Sequence, residues 1–356
     1  MKKGKIINRI VIAVNSAVLA VCAVLYGCIH SLQTEYTADN AKQLWDNELY
    51  SYSQVSVFLT PGEGIDDMTV YGIRKQIDGK LKEGTAANKA KLEKGRLWID
   101  CASGESTLTV SGNMGSCEVI ATGTFGDYFL FHPERLVSGS YYTEDDVNYD
   151  RIVIDKTCSW QLFGAVDTAG MPVTIGNKVY YVAAVTEIPE DKDDITAYGS
   201  IPRIYMPYET LRGINSGAVM TSYEVCMPNV VRDYALTVIT ELNIGSKNST
   251  AIIDQSSRFG IIRLFQGFGK ISENAMIRTN LAYPWYENRI RGAEIIAQII
   301  AGPLVYMMII PAVLLVYAVY IICRLIGAGI RRLRDEAEKR YQKKISEAYY
   351  KKKRAG

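Results

Sequence analysis

Residues 52–59 read Tyr-Ser-Gln-Val-Ser-Val-Phe-Leu, and residues 61–64 read Pro-Gly-Glu-Gly. Val55, Val57 and Leu59 alternate with polar neighbours, the period-two pattern of a half-buried strand. The Pro-Gly stretch ends it. Asp66 or Asp67 then caps a predicted helix whose Met68, Ile73, Ile77 and Leu81 line one face and which ends near Gly84. Strand, turn and helix make half of a small α/β unit. The other half lies far downstream, as a strand at 223–227, a helix over 231–242 and a strand at 250–253. The last strand resumes the first unit, so what lies between reads as an insertion.

That insertion changes character at Leu97. Short strands at 108–110, 117–121, 151–154, 173–175 and 179–185 are separated by Gly-bearing turns, with one short helix over 156–163. Residues 187–197 read as an acidic, Pro-containing loop. Residues 201–207, Ile-Pro-Arg-Ile-Tyr-Met-Pro, predict an edge strand, because Pro has no N–H to give a ladder. The Lys-rich stretch 86–94 reads as a solvated face.

Further outward lie two uncharged runs. Residues 10–34 and 295–323 contain no Asp, Glu, Lys or Arg over 25 and 29 residues. A helix rises about 1.5 Å per residue, so roughly 20 apolar residues cross a bilayer core of ~30 Å. Two transmembrane helices are expected. Residues 1–9 carry Lys2, Lys3, Lys5 and Arg9 and no acid, and residues 324–356 carry 12 basic residues against four acids. Positive flanks stay cytoplasmic, so both ends are expected inside and the middle outside. The middle holds 24 basic residues against 34 acids. The basic tail sits where lipid headgroups would meet it, which makes membrane lipid its expected partner and nucleic acid not one. The first run exceeds a usual signal-peptide core and lacks a clear small-x-small site, which argues for a retained anchor. The stretch Leu25-Tyr26-Gly27-Cys28 matches a lipoprotein box only loosely.

Of seven cysteines, Cys101, Cys117, Cys158 and Cys226 are expected outside, and four cysteines allow three pairings. Cys101 and Cys117 flank an expected hairpin around 106–110, where a bridge would add ~3 kcal/mol. The alternative, four small buried thiols, fits the composition better. No C-x-x-C occurs, which argues against zinc and thioredoxin-type chemistry. The two histidines, His30 and His132, stand over 100 residues apart, and no hydrolase or Walker motif is present. The acid clusters at 144–146 and 190–194 lack the alternation and central Gly of a calcium loop. No catalytic residue, metal or cofactor is expected; the chain does not read as an enzyme.

Residues 123–129, Gly-Thr-Phe-Gly-Asp-Tyr-Phe, are followed by Leu136-Val-Ser-Gly139 and Tyr142-Thr-Glu-Asp-Asp146. Then come Arg151-Ile-Val-Ile-Asp155, Leu162-Phe-Gly164, Pro172-Val-Thr-Ile175, Val182-Ala-Ala-Val185 and Ile204-Tyr-Met-Pro207. In that order, over about 85 residues, they resemble the MacB-like core domain found in permeases of ABC transporters. The resemblance marks Gly123, Asp127, Tyr128, Phe129, Gly139, Asp145, Leu162, Phe163, Gly164 and Pro207 as structural motif positions. Ser140 stands where the family pattern has Arg.

The resemblance implies an α+β fold: two transmembrane helices carrying an extracytoplasmic α/β (Porter-like) domain with an inserted β-rich (Sabre-like) subdomain. The expected layout places a stalk helix at 35–50, Porter-like parts at 51–96 and 216–256, and the Sabre-like insertion at 97–215. A second stalk covers 257–294, and a basic helical tail 324–356. The family's permeases have four spans and this chain two, which implies a half-permease working with another permease subunit or a second copy. A separate cytoplasmic ATPase would drive it. The alternative is a two-span sensor or scaffold that binds a ligand or protein outside the membrane.

Overall fold

The strand β1 (Tyr52–Leu59) forms as the alternation predicts, but both of its faces are buried. The computed structural model describes residues 2–45, 51–83, 96–143, 149–271 and 281–354. Gly84, the Lys-rich stretch 86–94 and the motif position Asp145 lie outside them.

β1 lies between β9 (Ser222–Pro228) and β10 (Thr250–Asp254), antiparallel to both. Its odd positions Val55, Val57 and Leu59 pack under α3 (Asp67–Glu83) and α8 (Tyr234–Glu241) in one core. Asp66 supplies the cap of α3: its Oδ1 accepts from the Thr69 amide at 2.9 Å and the Thr69 hydroxyl at 2.6 Å. Val70, Ile73, Ile77 and Leu81 form the buried stripe. Met68 is 71% exposed, because it stands two residues before Val70 and so on the opposite side of the helix from the buried stripe.

The long strand β2 (Ile99–Ser111) pairs with β9 through its first five residues and with β3 (Ser116–Gly126) from Cys101 onward. The hairpin turn falls at 112–115, not around 106–110, since β2 runs unbroken through that stretch. Gly104 marks where β2 leaves β9: a Cβ there would sit 2.0 Å from the Val219 carbonyl oxygen. Only glycine fits so close an approach.

Beyond β3 the sheet continues through β8 (Arg203–Pro207), β5 (Arg151–Asp155), β7 (Lys178–Thr186) and β4 (Leu136–Gly139). β6 (Pro172–Ile175) pairs with both β7 and β2. The pairings β2–β3–β8–β5–β7–β6–β2 therefore close a ring, in which residues 104–109 of β2 pair on one side only, with β3. Its interior holds Val110, Val119, Ile152, Val182, Ile204 and Met206, with Cys158 and Leu162 of α5 (Lys156–Phe163).

The edge assignment of residues 201–207 is thus corrected. β8 is interior, parallel to β3 and antiparallel to β5. Pro is tolerated because Pro202 precedes the strand and Pro207 ends it. Short helices α4 (Tyr128–Phe131), α6 (Lys192–Tyr198) and α7 (Tyr208–Ile214) join α5 in this region. α6 falls in the stretch read as an acidic loop.

Residues 29–299 form one unit, and residues 1–28 with 300–356 another. In chain order, α1 (Lys2–Glu35) gives way to α2 (Asn40–Trp45), so the single helix expected over 35–50 is broken between them. α9 (Ile261–Phe268) precedes α10 (Trp285–Arg354), which runs on through Pro303 and Pro311. α1 and α10 are both long and apolar enough to cross a membrane. The fold class is the expected one, a mixed α/β body with two such helices.

Candidate functional site: a polar foot under the last helix

The polar residues that alternate with the apolar ones on β1 do not face water. Gln54 and Ser56 are 1% and 0% exposed, and Glu224, directly opposite Ser56 on β9, is 1% exposed. The alternation reveals which face is apolar but not that a second layer covers the other. That layer comprises α2, α4 and the first turns of α10, which bring in Tyr128, Phe131 and Tyr286.

Glu224 is the centre. Its Oε1 meets His132 Nε2 at 2.5 Å and accepts from the Tyr286 hydroxyl at 2.9 Å. Its Oε2 accepts from the Ser56 hydroxyl at 2.6 Å. The His132 ring stacks on Tyr286 at 3.7 Å. Burial pushes the Glu224 carboxyl up, but the His132 charge and the bonds from His132, Ser56 and Tyr286 outweigh it and hold it below the ordinary range.

Gln255 carries the network onward, its amide donating to Ser56 Oγ and to Glu287 Oε2, both at 3.1 Å. Glu287, 0% exposed, receives a bidentate pair from Arg258 at 2.8 and 2.9 Å. Arg258 Nε also donates to Glu294 at 2.7 Å. Burial works against the guanidinium charge, yet Glu287 and Glu294 hold its pKa above the ordinary value. Lower on the same helix, Arg289 meets Asp194 of α6 at 2.5 Å. So the residues of α10 between 286 and 294 are bonded to β9, α6 and the 255–258 turn.

A cavity of about 70 Å³ adjoins this network, lined by His132, Glu134, Glu224, Trp285, Tyr286 and Arg289 among others. It admits water but not a drug-sized ligand. Glu134 Oε2 and Trp285 Nε1 are enclosed without a hydrogen-bond partner among the described residues. Burial pushes the Glu134 carboxyl up to about 7, against the hydrogen bond from Tyr205.

Cys101 Sγ, His132 and Glu224 offer three ligand atoms within 4.8 Å of one another, a donor set that suits a soft divalent ion. His132 and Glu224 would first have to part, since they are hydrogen-bonded to each other. Burial and the Glu224 and Asp100 charges also push the Cys101 thiol well up, which disfavours a thiolate ligand.

The motif positions lie around the ring and the second layer. A Cβ on Gly123 would meet Leu211 Cδ2 at 2.7 Å, so glycine lets α7 close on β3. Asp127 holds Arg96 at 2.8 Å, and Tyr128 is buried against His132 and Tyr205. Phe129 stacks on Tyr141 at 4.0 Å. Gly139 closes β4 against β7, Leu162 and Phe163 enter the ring core, Gly164 ends α5, and Pro207 opens α7. The motif carried Tyr128 but not the network beside it. Glu224, Arg258 and Glu287 were missed, and their only sequence signal is charge within otherwise apolar or aromatic stretches.

The less favoured reading, a Cys101–Cys117 bridge, is also corrected. Cys101 stands opposite Gly126 and Cys117 opposite Val110, at the two ends of the hairpin. Nine residues of strand span roughly 30 Å, far beyond disulfide reach.

A model of the MacB-like periplasmic core domain matches residues 17–242. The chain belongs to that family. Among solved structures, this MacB-like protein is similar to the extracellular domain of the noncanonic ABC-type transporter YknZ from Gram-positive bacteria. The two are 16% identical, over 56% of this chain and 99% of that one, with a TM-score of 0.37. It is also similar to the periplasmic region of MacB from Actinobacillus actinomycetemcomitans, at 16% identity over 63% of this chain and 94% of that one, TM-score 0.39. No curated protein matches. Membership in the MacB-like family rests on the sequence model.

Proposed function

We propose that this MacB-like chain is a permease-type membrane subunit of an ABC-type export or mechanotransmission complex, with both termini cytoplasmic and the MacB-like domain outside. Movement of α10 would displace that domain as a rigid body. The observation that carries the reading is the polar foot: Glu287 and Glu294 of α10 share Arg258, and Tyr286 shares Glu224 with His132. A helix so tied cannot slide or turn without exposing buried charge, so it acts as a lever instead of a tether.

Force would come from a separate cytoplasmic ATPase, reached through the basic residues after Cys323, and another permease subunit or a second copy would complete the membrane part. On this reading β1, β9 and β10 with α3 and α8 correspond to the Porter-like parts, and the closed ring to the Sabre-like insertion. The test is purification of the full chain from its native membranes after mild crosslinking. Recovery of a nucleotide-binding protein that is lost when residues 328–356 are deleted supports the assignment. Repeated recovery of the chain with no such protein overturns it.

A further inference from the structure

We infer that Cys117 and Cys158 form a redox-modification site, a dithiol that takes up an intramolecular disulfide from a disulfide-class oxidant. Their sulfur atoms lie 3.7 Å apart although the residues are 41 positions apart in the chain. They come from different elements, β3 of the closed ring and α5 packed into its core.

Each backbone is held independently. Cys117 pairs with Val110 in the β2–β3 ladder. Cys158 donates its N–H to Asp155 Oδ1 at 2.7 Å, and Asp155 also accepts from the Arg203 amide at 2.7 Å and the Tyr198 hydroxyl at 2.9 Å. The hairpin tip is bound to the same helix, Met114 N–H donating to the Leu162 carbonyl at 3.1 Å. A disulfide needs about 2 Å between sulfurs. Side-chain rotation can supply the difference while both backbones stay in place.

The two thiols are unequal in access, Cys117 half-buried and Cys158 buried. The contact with Cys158 lowers the Cys117 thiol below its ordinary range, while the same contact and burial push Cys158 up. Cys117 therefore attacks first. Its thiolate displaces one half of the oxidant as a thiolate and becomes a mixed disulfide. Cys158 then gives up its proton and attacks Cys117 Sγ, releasing the second half. Two cysteine thiols are oxidised, one oxidant disulfide is reduced to two thiols, and the two cysteine protons end on the released thiols. The product ties β3 to α5.

The experiment treats the full-length chain, purified reduced in detergent, with oxidised glutathione, and maps peptides without reduction. The expected result is one linked pair containing Cys117 and Cys158 and a rise in Tm of about 10 °C, from a closed loop of this length. Cys158→Ser should leave Cys117 as a stable mixed disulfide with no rise, and Cys101→Ser and Cys226→Ser should still form the bridge. A Cys101–Cys226 link, a persistent mixed disulfide at Cys117 in the unaltered chain, or no loss of thiols would overturn the inference.

Discussion

Replacing Arg258 with Met should destabilise the MacB-like domain more than any other single change in the polar foot. The Arg258 side chain is 2% exposed, and it donates to Glu287 twice, to Glu294 and to Gln255. Without it, Glu287 keeps only the Gln255 amide for a carboxylate that is 0% exposed. Breaking a buried ion pair by removing one partner costs about 3–5 kcal/mol. For a domain of this size that is a fall in Tm of roughly 10 °C. The assay is thermal unfolding of the full chain in detergent, followed by tryptophan fluorescence, since Trp285 lies one residue from the network. Arg258→Met combined with Glu287→Leu removes both buried charges and should recover most of the loss, because Glu294 reaches solvent with 27% of its side chain exposed. A shift below about 2 °C, or a double variant no more stable than the single one, would refute the reasoning.

Other predictions follow from the same residues. Glu134 has a folded pKa of about 7 against an ordinary 4.5, so the folded chain binds the extra proton between those values. Stability should fall by about 3 kcal/mol as pH rises through that window and level off above it, and Glu134→Gln should flatten the Tm-against-pH curve there. Glu224 has the opposite sign, its folded pKa lying below the ordinary value. Its contribution is present above the unfolded pKa and lost as pH falls through the folded one, and Glu224→Gln should remove that acid-side loss while lowering Tm at neutral pH. Gly123→Val should cost about 1–3 kcal/mol by forcing Leu211 of α7 away from β3, read as a lower denaturant midpoint.

Much of the architecture was legible because its signals are local. The odd positions of β1, the Asp66 cap and the two uncharged runs each depend on a few neighbouring residues. The motif from Gly123 to Pro207 carried the family. Long-range features were not legible. Gln54 and Ser56 looked like solvent-facing residues because a strand's pattern cannot report what settles on its polar side. β8 looked like an edge because its prolines were counted without knowing that the ladder begins after one and ends at the other. The Cys117–Cys158 approach depends on α5 packing back against β3, from residues 41 positions apart in the chain.

β2 begins as a neighbour of β9 and finishes as a wall of the ring, with Gly104 at the handover. One continuous backbone is thus common property of the open sheet and the closed one, like a rafter built into two roofs. Neither can melt alone without tearing hydrogen bonds from the other. Amide protons of residues 101–103, held between β9 and β3, should accordingly exchange at the pace of whole-domain unfolding, and a pull on the open sheet should reach the ring without slack.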